Sequence, residues 1–374
     1  MLLKRFYDDN LAQASYLLGC QATGEALVVD PNRDVRQYIE AAGAEKLRIT
    51  HVTETHIHAD FASGSQELAR ATGAALLLSD CGDADWKYGF AASAGVRLLR
   101  DGDRVMIGNL KVDVMHTPGH TPEHIVFIVT DTPATDEPVG VFTGDFVFVG
   151  DVGRPDLLEK AAGVTGTMEA GARQLFASIQ RFATLPDHLQ LWPGHGAGSA
   201  CGKALGAMPT STLGYERIAN WALRLRDEQA FVDEVLAGQP APPRYFARMK
   251  RINRDGVPEL GGLPVPEPRS PADALAAHAS GASLLDIRPA AAYAERHVAG
   301  AINVPYNRSF VNWAGAVLDY ERDAWLIAGE STAAAAARDL AMIGFDRVAG
   351  WVEGTEIVDV AGGAVRGLAQ VSAA

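Results

Sequence analysis

A chain of 374 residues has room for one very large domain or two ordinary ones. Its 48% hydrophobic and 21% charged residues are the make-up of a water-soluble globular protein with ample core material. A net charge of −13 speaks against nucleic acid as a partner, because phosphate backbones need clustered Lys and Arg, but leaves small anions open. Three cysteines, Cys20, Cys81 and Cys201, are few and odd in number, which fits a reducing compartment better than a disulfide framework. The first 19 residues lack a long apolar core and carry Asp8 and Asp9, so they do not read as a signal peptide. No stretch approaches the roughly 18 uninterrupted apolar residues of a membrane span. A cytoplasmic protein without a membrane partner is expected.

In chain order, the first two-thirds alternate short β-rich runs with turns and helical patterns. ALVVD (26–30), LRITHVTET (47–55), AALLLS (74–79), HIVFIVTD (124–131) and VGVFTGDFVFV (139–149) have strand length and branched or aromatic content. Several end at Asp or His followed by a turn. From Thr212 to Leu236 the pattern turns helical, with Ile218, Trp221, Ala222 and Leu225 on one face and Phe231, Val232 and Val235 on a second. A Pro- and Gly-rich stretch follows and predicts a linker over 241–268, between a first domain at 1–240 and a second at 269–374. The second domain reads as alternating helix and strand: ADALAAHA, SLLDIR, INVP, AWLIAGE, then the alanine-rich helix STAAAAARDLAMIG capped by Ser331 or Thr332. This predicts a small doubly wound parallel sheet.

Four turns place metal-binding side chains where a sheet can hold them rigidly: THIHAD (55–60), HTPGHTPEH (116–124), FTGDFVFVGDVGRPDL (142–157) and LWPGHG (191–196). Four such turns in order, each with Gly or Pro shaping the backbone, predict a metal centre. His51 and His188 read as ordinary polar or surface histidines. His116 and His124 flank the TPGHT turn and read as supporting or surface groups.

These motifs resemble the metallo-β-lactamase superfamily, and within it the glyoxalase II-like branch, over roughly residues 1–250. The resemblance implies an αββα sandwich. In two-metal members the HxHxD motif continues with a third histidine that binds the second metal; here Phe61 stands at that place and has no lone pair to donate. The resemblance then narrows to the persulfide dioxygenases. It implies one Fe(II) per chain held by His56, His120 and Asp145, with Zn(II) as a substitute, and open positions for substrate and O2. His58 is either a further ligand or a group that orients its neighbours. Asp60 and His195 are placed near the metal, by hydrogen bonds to bound water or substrate, although Asp60 reads nearly as well as a turn-stabilising side chain.

The implied reaction oxidises a low-molecular-weight persulfide, carried by glutathione, coenzyme A or another thiol, with O2 to sulfite and free thiol, as in detoxification of reactive sulfur. Arg154 holds a substrate carboxylate or orients its loop, or else pairs with Asp151 or Asp156. Cys201, in the glycine-rich GAGSACGK (196–203), is a candidate for carrying or positioning persulfide, its pKa lowered by backbone amides and Lys203. The alternative for Cys201 is a small buried residue with no chemistry.

LLDIRPAAAYAERHVAGAINVP (284–305) resembles the entry segment of rhodanese-like domains. An active member carries a cysteine directly after its central strand, but no cysteine follows Cys201. The domain is expected to be inactive in sulfur transfer and to dock a partner, support a homo-oligomer or shape the entrance to the iron site. The readings that compete with the dioxygenase are a glyoxalase II-like zinc thioester hydrolase and a non-catalytic sulfur-binding scaffold.

Overall fold

Alternation along the strands builds the first unit. The computed structural model describes residues 1–93, 95–157, 159 and 166–369, and divides into two units, Met1–Glu259 and Leu260–Ala374. In the first unit, β1 (Leu2–Asp8), β2 (Gln13–Cys20), β3 (Glu25–Val29), β4 (Arg48–Thr53), β5 (Ala75–Ser79) and β6 (Val96–Leu99) form one sheet in that order. β7 (Arg104–Ile107), β8 (Leu110–His116), β9 (Ile125–Asp131), β10 (Gly140–Gly144), β11 (Gln190–Pro193) and β12 (Ser211–Thr212) form a second, again in sequence order. Leu27 and Val29 of β3 point into a core shared with Val112, Val114, Phe127 and Phe142 of the second sheet. Ala26 and Val28, on the opposite face, pack with helices α1 (Val35–Ala44) and α2 (Ser65–Thr72). On the far side of the second sheet, Val126 and Val141 meet Leu175, Ile179 and Phe182 of α3 (Met168–Phe182). The period of two thus puts each sheet between a helical layer and the other sheet. The result is the expected αββα sandwich.

The same topology gathers the motif turns. β8, β9 and β10 pair antiparallel in succession and β10 pairs parallel with β11, so the C-terminal ends of β8, β10 and β11 lie at one edge. β3 and β4 run parallel, and the chain leaving β4 is tied to that edge by Ile125 N–H donating to Thr55 O at 2.9 Å. Gly144 and Gly153 flank the Asp145 turn for steric reasons. Gly144 has φ +50° and faces Thr55 Oγ1, and a Cβ on Gly153 would overlap the Asp145 carbonyl oxygen.

The helical pattern expected over Thr212–Leu236 is present as three helices, α4 (Leu213–Ala219), α5 (Trp221–Arg224) and α6 (Glu228–Leu236). The Asn220 and Asp227 side chains accept from Ala222 and Ala230 N–H and restart the chain as caps. The linker expected over 241–268 contains α7 (Phe246–Asp255), and the first unit runs on to Glu259. Phe246 and Met249 are buried one turn apart on α7, and Arg33 donates to Pro258 O at 2.8 Å, so this segment belongs to the sandwich. Proline and glycine at its ends hid a short amphipathic helix.

The second unit is a parallel sheet. α8 (Pro271–Ala279) leads into β13 (Ser283–Asp286), and after α9 (Ala290–Glu295) and the short β14 (His297–Val298) comes β15 (Ile302–Asn303). α10 (Phe310–Val317), β16 (Ala324–Ile327), α11 (Glu330–Met342), β17 (Val348–Val352) and α12 (Gly354–Ala361) complete it, with strand order β15-β13-β16-β17. Arg288 holds Asp286 through both oxygens at the end of β13. Ala328 and Gly329 follow β16 where a sulfur-transferring domain of this kind would carry its cysteine. Gly329 precedes the first turn of α11, so Ser331 and Thr332 lie inside the helix and neither caps it.

Candidate metal centre

Three imidazoles are fixed in the same tautomer by their outer hydrogen bonds. Thr55 Oγ1 donates to Asp30 Oδ2 at 2.9 Å, so it accepts from His56 Nδ1–H at 3.0 Å. His120 Nδ1 donates to Arg154 O at 3.0 Å, and His195 Nδ1 donates to Ala12 O at 3.0 Å. Each ring therefore turns an unprotonated-capable Nε2 inward. The three Nε2 atoms lie 3.9, 3.5 and 3.4 Å from Asp145 Oδ2 for His56, His120 and His195 respectively. All four side chains are buried.

Ligand atoms of His56, His120 and Asp145 lie within 4.8 Å of one another. His56 Nε2 and both Asp145 carboxylate oxygens are buried and make no hydrogen bond. Buried polar atoms left this way are costly unless something else binds them, and two imidazoles with one carboxylate are ligands for a divalent transition metal. The donor set and the orphaned atoms fit a metal ion.

His58, named above as a possible fourth ligand, is not part of this group. Its Nε2 sits 3.1 Å from Asp30 Oδ1, and its ring lies 4.2 Å from that of His56. Burial pushes the His58 pKa down, but the Asp30 carboxylate, aided by Asp60 and Glu54, overrides it and takes it up to about 9. Phe61 is fully buried with its ring 4.5 Å from that of His58.

Phe61 does not leave the rest of the pocket without donors. Asp60, His195 and Cys201 form a second group whose ligand atoms lie within 4.8 Å of one another. His195 Nε2 is 3.2 Å from Asp60 Oδ2, so Asp60 faces the pocket and is more than a turn stabiliser. Phe61 removes one donor from the pocket, and the thiol of Cys201 stands there beside Asp60 and His195.

The expected activation of Cys201 is corrected. Burial pushes its thiol up, and Asp60 and Asp145 add to this, with only His195 opposing. Lys203 points away, its Nζ 3.0 Å from Glu234 Oε1. Of the alternatives for Arg154, the structure supports pairing with Asp156 and orienting the loop. The buried guanidinium is spent on Asp156, with Nε–Oδ1 at 2.7 Å and Nη2–Oδ2 at 2.8 Å, and on the carbonyl of Pro240 at 2.6 Å. It orients the loop and holds His120 through its own carbonyl, and it has no arm left for a substrate carboxylate.

His124 serves as support, as expected. Its Nε2 accepts from Asp145 N–H at 3.2 Å, so its Nδ1 donates to Thr117 Oγ1 at 2.9 Å, and its ring stacks on His56 at 5.1 Å. His116 and His188 bond backbone carbonyls at 2.8 and 3.0 Å and lie outside both ligand groups. Asp30 was missed by sequence reasoning. It ends a strand, has φ +51°, and accepts from Thr55 N–H at 2.7 Å while facing His58. An Asp closing a buried strand was the available signal. Ala12, φ +51°, was also missed, because its backbone carbonyl and not its side chain holds His195.

Glu123, next to His124, is another unforeseen brace. Its Oε1 accepts from Ile57 N–H at 2.7 Å, and burial pushes its carboxyl from 4.5 up to about 7. The folded chain keeps a proton that the unfolded chain has released between those values. The stability this group contributes is complete below pH 4.5 and is lost as pH rises through about 7. Glu123→Gln keeps an oxygen for Ile57, so the variant is expected to gain on the wild type by about 2–3 kcal/mol between about pH 5 and pH 8. Denaturant melts of the metal-free chain at both pH values check this.

Beside the turn holding His120 lies a cavity of about 460 Å³, lined by Gly119, Trp86, Thr167, Gln174, Lys250 and Arg254. The Lys250 ammonium stands 3.7 Å from the centre of the Trp86 ring.

The metallo-beta-lactamase superfamily profile matches residues 8–195 and the rhodanese-like domain profile residues 270–364. A crystal structure of a metallo-beta-lactamase from Staphylococcus aureus is 43% identical, covering 94% of this chain and 99% of that one, with a TM-score of 0.85. The hydroxyacylglutathione hydrolase of Rhodospirillum rubrum is 33% identical over 48% of this chain, and the match spans only 60% of that enzyme's length. The mitochondrial persulfide dioxygenase ETHE1 of Bos taurus is 26% identical over 61% of this chain and 78% of its own.

Proposed function

This chain belongs to the metallo-beta-lactamase superfamily, and from that premise we propose that it is a persulfide dioxygenase. The observation that carries the reading is the set of His56, His120 and Asp145, with His58 held by Asp30 outside it. Two imidazoles and one carboxylate are the donor set of non-haem iron oxygenases. Ferrous iron bound there supplies open coordination positions and the electrons that zinc lacks for O2 chemistry.

The net reaction is R–S–SH + O2 + H2O → R–SH + SO3²⁻ + 2H⁺. The S–S bond breaks, four electrons leave sulfur, and O2 accepts four. The chain's own residues orient and buffer it. Thr55, Arg154 and Ala12 hold the three imidazoles by their Nδ1 atoms. His195, with its Nε2 3.2 Å from Asp60 Oδ2, is a proton carrier beside the centre. The adjacent cavity carries both signs of charge, Lys250 and Arg254 beside Asp83 and Asp85, with Arg254 paired to Asp255, and it offers room for the thiol carrier. Burial excludes bulk water from the donor atoms.

A thioester hydrolase is the second reading, favoured by the Asp60–His195–Cys201 group, which offers donors for a second ion, and by the hydroxyacylglutathione hydrolase relative. Anaerobic iron loading followed by O2 uptake with glutathione persulfide or coenzyme A persulfide separates the two. One sulfite per O2 is expected. Thioester cleavage without O2 uptake would replace the dioxygenase by the hydrolase. Cys201→Ser is expected to leave iron at the wild-type level, measured by elemental analysis, since the thiol stands outside the His56–His120–Asp145 group.

A further inference from the structure

The loop between β4 and α2 carries His56, His58, Asp60 and Phe61 without regular secondary structure. A strand supplies a donor to only one end of it, Ile125 N–H to Thr55 O, and the other buried carbonyls need donors from elsewhere. One end is fixed by Thr55 on Asp30 and by Ile57 on Glu123. The other is fixed by Ser63 and Ser65, both donating to the buried Glu54. The middle, from His58 to Ser63, is held from outside by α7.

Phe246, Met249 and Asn253 are buried on one stripe of α7, and the third position is an amide where an apolar residue would continue the pattern. Asn253 Nδ2 donates to His58 O at 2.7 Å and to Phe61 O at 2.7 Å, and Asn253 Oδ1 accepts from Ser63 N–H at 2.9 Å. Both of the amide's N–H groups and its oxygen are committed to a six-residue arc, with Asn253 itself only 1% exposed. Asp60 lies within that arc, with its carboxylate 3.2 Å from His195 Nε2. Glu54, Glu123 and Asp30 brace the ends of the loop, and Asn253 sets its curve.

We propose that Asn253 is a positioning residue of the metal centre, which shapes the His58–Ser63 arc so that Asp60 faces His195 and His58 stays against His56. The proposal rests on the reading of His56, His120 and Asp145 as a metal centre, but not on which reaction that centre performs. Asn253→Asp tests it in the full chain. The variant is isosteric and keeps the acceptor for Ser63, but loses both donors.

With cobalt(II) as the probe, the variant is expected to bind as much metal as the wild type while its visible absorption band shifts, because the His58 ring lies 4.2 Å from that of His56. Turnover of glutathione persulfide is expected to fall about 10- to 100-fold in kcat with KM within about twofold, as for other groups that orient a metal site from outside. A lowered melting temperature with an unchanged band and unchanged kcat would make Asn253 merely structural and overturn the proposal. If Asn253→Asp does not fold, Asn253→Gln decides in its place. It keeps both donors and the acceptor on a stem one methylene longer, and an unshifted cobalt band would again overturn the proposal. A wild type that binds cobalt but never consumes O2 with persulfide would defeat the dioxygenase reading alone, leaving the spectral result for Asn253 to stand.

Discussion

Asp145→Asn is expected to empty the metal centre and to abolish persulfide oxidation. Asp145 Oδ2 is the point on which three imidazole nitrogens converge, between 3.4 and 3.9 Å away. It is the anionic member of the His56–His120–Asp145 group, and neither of its oxygens makes a hydrogen bond. An amide preserves the shape but brings no negative charge and only one acceptor. Removing even an outer partner of a metal ligand costs about 10–100-fold in affinity or activity, so loss of the carboxylate ligand should exceed about 100-fold in both. Metal analysis after dialysis and sulfite release check the two together. Retention of one iron per chain by the variant would mean that the ion sits on the Asp60–His195–Cys201 group instead.

Arg154→Ala is expected to lower stability by about 3–5 kcal/mol and, through His120, to loosen the metal. The substitution takes the guanidinium from a buried Asp156 carboxylate that it holds through two hydrogen bonds, and the cost of breaking such a pair is largely that of the charge left behind. It also frees the loop from Pro240, to which Arg154 donates at 2.6 Å, and so relaxes the carbonyl that fixes His120 Nδ1. Thermal melts and metal dissociation rates measure the two effects. The double variant Arg154→Met, Asp156→Leu is expected to recover much of the stability, because it leaves no buried charge unpaired. A substrate-binding arginine would behave otherwise. Its loss would raise KM and leave the melting temperature unchanged.

Much of the centre was legible in the sequence because its donors sit in short turns after buried strands, and such turns carry a signature of Gly, Pro, His and Asp. THIHAD places two donors of the pocket, His56 and Asp60, and TPGHT, TGD and PGHG one each, while the apolar, branched and aromatic runs ALVVD and HIVFIVTD foretold buried strands. What escaped notice was held by partners distant in sequence. Asp30 faces His58 across 28 positions and Ala12 reaches His195 across 183. The helix of residues 246–255 was hidden between prolines and glycines, yet its Asn253 is bound to the loop of residues 58–63. Backbone carbonyls and single amides leave no pattern in a sequence, because any residue carries the first and many polar stripes carry the second.

From the chain alone follow the two-unit organisation, the strand periodicity, the set of candidate ligands and the absence of any cysteine beyond residue 201, since each is a property of local spacing or of composition. Only tertiary structure decided that His58 turns to Asp30, that Arg154 spends its charge on Asp156 and that Cys201 joins Asp60 and His195. In a buried site every polar atom competes for partners within about 3 Å. That competition is settled by which strands and helices the fold brings side by side, not by the order of the residues.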